Sequence, residues 1–230
     1  MDLRGKRIAV LVADQYQVLE VWYPLLRFRE DGAETVTVGA EAGQTYSSKK
    51  GYPVVADRSA ADIEPAQFDA VVIPGGWAPD ALRQDGRMVR FVRGMDRAGK
   101  VVAAICHAGW MLTSADIVRG RRVTCFKAIK DDVIHAGGRY VDEEVAVDGN
   151  LITSRIPTDL PAFCREIARA LAAQPVGHAV AERRRAIGPV AHRLQPVRRG
   201  SRAEFVPPRL QLPVAVGVDG KFPHFLFDPD

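Results

Sequence analysis

Long apolar runs, paired cysteines and histidine are what this chain of 230 residues has least of. No apolar stretch approaches the roughly 20 residues that a membrane-crossing helix requires. The three cysteines, Cys106, Cys125 and Cys164, are too few and odd in number for a disulfide framework. Met1 to Arg7 leads into a buried-strand pattern instead of a signal peptide, so the expected compartment is the cytoplasm. Histidine occurs only at 107 and 135 before residue 175, without Cys-x-x-Cys or His-Glu-x-x-His spacing, so no metal site is expected. A G-x-G-x-x-G turn after the first strand is also missing, which argues against dinucleotide binding, and no cofactor is expected.

What remains is ordinary globular composition, 47% apolar and 26% charged, with a net charge of +4. The charge is unevenly spread. Residues 175–230 hold nine Lys and Arg against five Asp and Glu, together with eight of the 15 prolines, so residues 1–174 are formally neutral. This divides the chain into a domain of residues 1–174 and a basic, Pro/Arg-rich tail of residues 175–230, expected to be poorly ordered. Arg183-Arg184-Arg185 and Arg198-Arg199 lack interleaved aromatics, so nucleic acid is not expected as a partner, except through weak contact with the tail.

Within the first part, short apolar runs alternate with helical patterns. Arg7–Ala13, Glu34–Val38, Asp69–Pro74, Lys100–Ile105 and Arg122–Phe126 read as strands. Val18–Glu30, Gly86–Ala98, Ala108–Ala115, Ala128–Gly137 and Asp159–Ala172 read as helices. Gln44–Val55 suits a loop or hairpin, and Val141–Thr153 a hairpin. The alternation predicts an α/β fold with a mostly parallel sheet covered on both faces. Ligands of such sheets bind outside the carboxyl ends of the strands, which here means after Ala13, at Pro74–Asp80 and at Cys106.

Cys106 closes a strand and precedes a helix, where a sharp turn presents a nucleophile and helix amides favour a thiolate. Alternatively it is an inert buried thiol. His107 follows it, although neighbouring side chains ordinarily diverge, so adjacency alone makes no dyad. Gly75 and Gly76 either let backbone amides approach a developing oxyanion or simply form a tight turn.

The strings Ala104–Trp110 (A-I-C-H-A-G-W), Val71–Gly76 (V-V-I-P-G-G), Lys130-Asp131-Asp132, Val147–Asn150 and Ser154–Pro157 together resemble the PfpI family of intracellular cysteine peptidase-like proteins. That family belongs to the class I glutamine-amidotransferase-like superfamily, which includes the Parkinson-disease protein deglycase. The resemblance runs from about Lys6 to Leu171. It implies a flavodoxin-like three-layer sandwich with Cys106 as nucleophile on an elbow, His107 beside it and Glu20 as the carboxylate facing the thiol. It further implies Asp80 as an acid reaching the histidine of a neighbouring subunit in a dimer or hexamer. Asp80 is one methylene shorter than the family's usual glutamate and reads equally as a helix N-cap. Ala108-Gly109 stands where relatives often carry Gly-Pro, which implies a different helix start, and Phe126 where many carry tyrosine, which leaves a more apolar wall. Arg155 either points at an anionic substrate group or pairs with surface carboxylates. No histidine lies between Gly138 and Gln174, so the triad of true glutamine amidotransferases is incomplete.

The function implied is that of a cofactor-independent cysteine hydrolase or lyase, with peptide, protein or small carbonyl compounds as substrates in peptidase, glyoxalase or deglycase chemistry. A non-enzymatic oxidative-stress sensor using Cys106 and an isonitrile hydratase-like enzyme are the alternatives.

Overall fold

The computed structural model describes residues 1–174. The tail of residues 175–230, and with it the expectation of a poorly ordered basic extension, lies outside the described residues.

Seven strands form the central sheet: β1 (Arg7–Leu11), β2 (Glu34–Gly39), β5 (Arg58–Ser59), β6 (Ala70–Ile73), β7 (Val101–Ile105), β10 (Val145–Asp148) and β11 (Leu151–Ser154). They lie in the order β10-β11-β7-β6-β1-β2-β5. Every pairing is parallel except β10 with β11, the hairpin expected across Val141–Thr153. The strands β1, β6 and β7 at the centre are buried along their whole length, which is why they read as continuous apolar runs. A second hairpin pairs β3 (Thr45–Ser47) with β4 (Pro53–Val55), inside the segment read as loop or hairpin.

The chain steps from β1 to β2 in one direction and from β6 to β7 in the other. Right-handed crossovers therefore place the connecting helices on opposite faces. Helices α1 (Val18–Glu30) and α6 (Leu160–Ala173) pack together on one side. Helices α2 (Ala78–Gln84), α3 (Gly86–Arg97), α4 (Gly109–Ser114) and α5 (Lys130–His135) cover the other. Helix α1 buries Glu20, Val21, Pro24, Leu25 and Phe28, one face at helical spacing. Burial of Phe28 alone is worth about 2–3 kcal/mol. Among the described residues no helix is long and apolar enough to cross a membrane.

Three elements depart from the sequence reading. The strand expected over Arg122–Phe126 shrinks to β8 (Arg122–Val123), paired only with β9 (Arg139–Tyr140). Its continuation leaves the ladder because Thr124 N–H donates to Thr153 Oγ1 and Phe126 N–H to the Cys106 carbonyl. Helix α2 lies where no helix was expected, and the helix expected at Ala108 opens as a 3₁₀ turn over Cys106–Ala108 before α4 begins.

At the amino ends of β7 and β11 a polar clasp joins distant segments. Asn150 Nδ2 donates to Asp96 Oδ1 at 3.1 Å and to the Lys100 carbonyl at 2.9 Å. Arg121 reaches Asp96, Asp148 and Asn150 Oδ1. The string Val147–Asn150 thus fastens the end of the sheet remote from Cys106.

Candidate active site

The carboxyl ends of β1, β6 and β7 converge, as the three places singled out by the strand pattern require. The segment after β1 hydrogen-bonds to the turn after β6, with Gln17 N–H donating to the Gly75 carbonyl and Trp77 N–H to the Gln15 carbonyl. Gly76 has φ +72, and a Cβ on it would stand 2.4 Å from the Gln15 carbonyl oxygen. Only glycine fits there.

Cys106 has φ +63, in the left-handed region that a non-glycine residue rarely occupies. Strain of this kind persists where the surroundings over-determine it. This turn brings together side chains that ordinarily diverge: the Cys106 thiol and His107 Nδ1 are 3.2 Å apart. The backbone amides of Gly76 and His107 also act on the sulfur in favour of the thiolate.

Glu20 is brought to the same sulfur from the first turn of α1. Gln17 caps that helix, its side chain accepting from Leu19 N–H and Glu20 N–H. The Glu20 side chain then points inward, where it is wholly buried instead of resting at the surface on the helix dipole. Oε2 accepts from Gly75 N–H at 2.6 Å, while Oε1 completes no hydrogen bond. Burial pushes the carboxyl up to about 8, against the opposing pull of the Gly75 amide, the thiol and the Lys49 charge. At neutral pH Glu20 is therefore protonated.

The thiol itself departs from expectation. Burial, and then the neighbouring Glu20 charge, raise Cys106 above the ordinary thiol range, and the two amides only offset part of that. Protonation of Glu20 removes the charge repulsion and turns the carboxyl into a donor facing the sulfur. His107 moves the other way, lowered by burial and by Lys49, so its imidazole is neutral at pH 7 and able to accept the thiol proton.

An aromatic box, absent from the sequence reading, holds that imidazole. Phe126 stacks on His107 with centroids 4.9 Å apart, and Trp77 and Trp110 each stand 5.3 Å from it. Trp110 is fixed by its Nε1–H donating to Asp132 Oδ2 at 2.7 Å, which gives the Lys130-Asp131-Asp132 string a physical role. The Phe126 ring is one side of this box. Ala108 is buried in the 3₁₀ turn that carries His107.

Two candidates fall elsewhere. Arg155 donates to Asp142 Oδ1 at 2.7 Å and to Asp159 Oδ2 at 2.9 Å, so the carboxylate-pairing alternative holds and its charge is consumed within the chain. Asp80 is not an N-cap: Trp77 occupies that position, and Asp80 lies inside α2, exposed, near Gln84 Nε2. Within one chain it makes no hydrogen bond to His107. Among the described residues no group of three or more His, Cys, Asp or Glu is placed to hold a metal ion.

The whole arrangement, an elbow cysteine with a buried glutamate behind it, coincides with a match of residues 6–170 to the model of the DJ-1/PfpI family. The chain belongs to the DJ-1/PfpI family. It is 47% identical over 171 residues to protein/nucleic acid deglycase 2 of Escherichia coli, covering 74% of this chain and 99% of that protein. A deglycase of Pyrococcus abyssi is 42% identical over 165 residues, covering 72% and 99%. Among solved structures, a two-domain protein of Anabaena variabilis with DJ-1/ThiJ/PfpI-like and ferritin-like domains matches with a TM-score of 0.72 and 40% identity. That match covers 73% of this chain and 48% of the other, so the chain spans about half of the two-domain protein. DJ-1beta of Drosophila melanogaster matches with a TM-score of 0.69 and 27% identity, over 81% and 97%.

Proposed function

We propose that this chain is a cysteine-nucleophile hydrolase of the deglycase type, acting on acyl or reactive carbonyl adducts. The observation that carries the reading is the 3.2 Å approach of the Cys106 thiol to His107 Nδ1 beside the buried Glu20 carboxyl. The names of relatives at 40–47% identity support the deglycase class. In the first step the thiol proton passes to His107 Nδ1, the sulfur forms a bond to the carbonyl carbon, and the carbonyl electron pair moves onto oxygen. The imidazolium then returns the proton to that oxygen or to a departing amine. Glu20, protonated below about pH 8, donates to the sulfur while it carries charge.

The test is release of adducts from a methylglyoxal-treated peptide. Cys106→Ala is expected to abolish release, and equal release by wild type and variant would overturn the assignment.

Asp80 acts, in this proposal, from a second copy of the chain in a dimer or hexamer, where its carboxylate would reach the neighbour's His107. Sedimentation of wild type and Asp80→Ala, with activity measured on the same samples, checks this. A fully active monomer would overturn it.

A further inference from the structure

The Gln15–Gln17 segment stitches two separate turns together. On one side Gln15 N–H donates to the Ser47 carbonyl at 2.7 Å and Lys49 N–H to the Tyr16 carbonyl at 3.1 Å. On the other, Trp77 N–H donates to the Gln15 carbonyl at 2.9 Å. Gln15 adopts φ +64 at this crossing. The result sets a lysine from the β3–β4 hairpin beside a tryptophan from the turn after β6.

Lys49 Nζ lies 5.7 Å from the centre of the Trp77 ring, and that ring stands 5.3 Å from His107. Trp77 is 51% exposed, so the ammonium sits at the open edge of the site. Among the described residues Lys49 makes no ion pair. The carboxylates around the rim are engaged elsewhere: Asp14 accepts from Ser47 N–H, Asp132 from Trp110, and Asp80 lies near Gln84. The Lys49 charge acts with burial on His107 and against it on Glu20, so the ammonium is within electrostatic reach of both.

We propose that Lys49, held over Trp77, is a subsite for an anionic group of the substrate, and that among carbonyl compounds reacting at Cys106 those that also carry a carboxylate are favoured. A cation over an indole remains free to take an anion, because the ring offers attraction without supplying a counter-charge. A single ammonium suits a carboxylate, whereas a phosphate dianion calls for several donors. Arg83, the cation beside the Trp110 wall of the box, is spent over the Trp110 ring at 5.9 Å with its Nε bonded to Ser114. This inference rests on the reading of Cys106 as the nucleophile and names the substrate class of that same site.

Two alkylating reagents that differ by one charge test it without any assumed substrate. Iodoacetate and iodoacetamide both form a sulfur–carbon bond and expel iodide, the thiol proton passing to solvent, and only iodoacetate carries a carboxylate beside the reacting carbon. The rate ratio of the two at Cys106, located by peptide mass, is measured for wild type, Lys49→Gln, Lys49→Arg and Lys50→Gln. Lys49→Gln is expected to lower the iodoacetate preference about five-fold. Lys49→Arg and Lys50→Gln are expected to keep it, and raising ionic strength from about 0.02 to about 0.5 M to erode it. An unchanged ratio in Lys49→Gln would overturn the proposal while leaving the nucleophile assignment intact. Failure of both reagents to modify Cys106 in wild type would overturn both.

Discussion

Gly75 leaves no room for a side chain beside Cys106: a methyl group on its Cα would stand 2.6 Å from the Cys106 Cβ and 3.0 Å from the sulfur. The same added carbon would lie 2.8 Å from Glu20 Oε2, which accepts the Gly75 N–H. Gly75→Ala is therefore expected to cost about 1–3 kcal/mol of stability, as overpacking does, and to lower Cys106 alkylation at least ten-fold. Thermal unfolding and alkylation of the same sample check it, and wild-type behaviour in both would refute the close packing.

Glu20 gives the fold a pH signature. In the folded chain it keeps its proton up to about pH 8, whereas an unfolded glutamate releases it near 4.5. Between those values the folded state binds more protons, so stability is greatest at the acid end of the window and falls as pH rises toward 8. The slope from this group is at most about 1.4 kcal/mol per pH unit. Glu20→Gln cannot ionise and is expected to flatten that slope, measured as denaturant midpoints from pH 5 to 8. Parallel curves for the two proteins would remove Glu20 as the source.

His107 is held by its aromatic box as well as by its contact with sulfur. His107→Asn is expected to lower kcat by roughly 10²–10⁴, the usual worth of a positioned base. Phe126→Leu, which removes the ring stacked at 4.9 Å, is expected to lower kcat by about ten-fold with little change in KM. A change confined to KM in Phe126→Leu would show that the ring binds substrate instead of orienting the imidazole.

Much of this was legible in the residues, and the failures have physical causes. The run Val18–Glu30 marks α1 to the residue because its apolar spacing holds until the stop near Gly32. The two-residue strand β5 shows no period at all, β8 is shorter than the run that marked it, and α2, which buries only Ala78, Pro79 and Leu82, carries too little pattern to announce a helix. At the site, Cys106 and the paired glycines stood out by their places at strand ends, while Glu20 stood out through the resemblance to the family alone. Lys49 and Trp77 did not, since they reach the rim from different segments that only the backbone stitching at Gln15 and Tyr16 unites, and Trp110 did not, since its place against His107 depends on Asp132 of α5. The expected depression of the thiol failed for a related reason: a linear sequence shows the amides of the turn but not the buried carboxyl from α1.

Arg155 separates scaffold from site. Its two carboxylate partners, one of them the buried Asp159, predict that Arg155→Met loses about 1–3 kcal/mol by stranding that acid. Activity per folded molecule is expected to stay at the wild-type level. A raised KM without loss of stability would return Arg155 to the substrate.

The clasp of Asp96, Arg121, Asp148 and Asn150 is built at the sheet's far end from residues that never touch the rim around Cys106. The rim segments around Gln15, Lys49 and Trp77 instead fasten to one another. An exchange of any one of these three turns would cut bonds to its partners, while an exchange of all three together would leave the clasp untouched. The unit of diversification at this rim is accordingly the trio, a cassette that a different specificity would inherit whole.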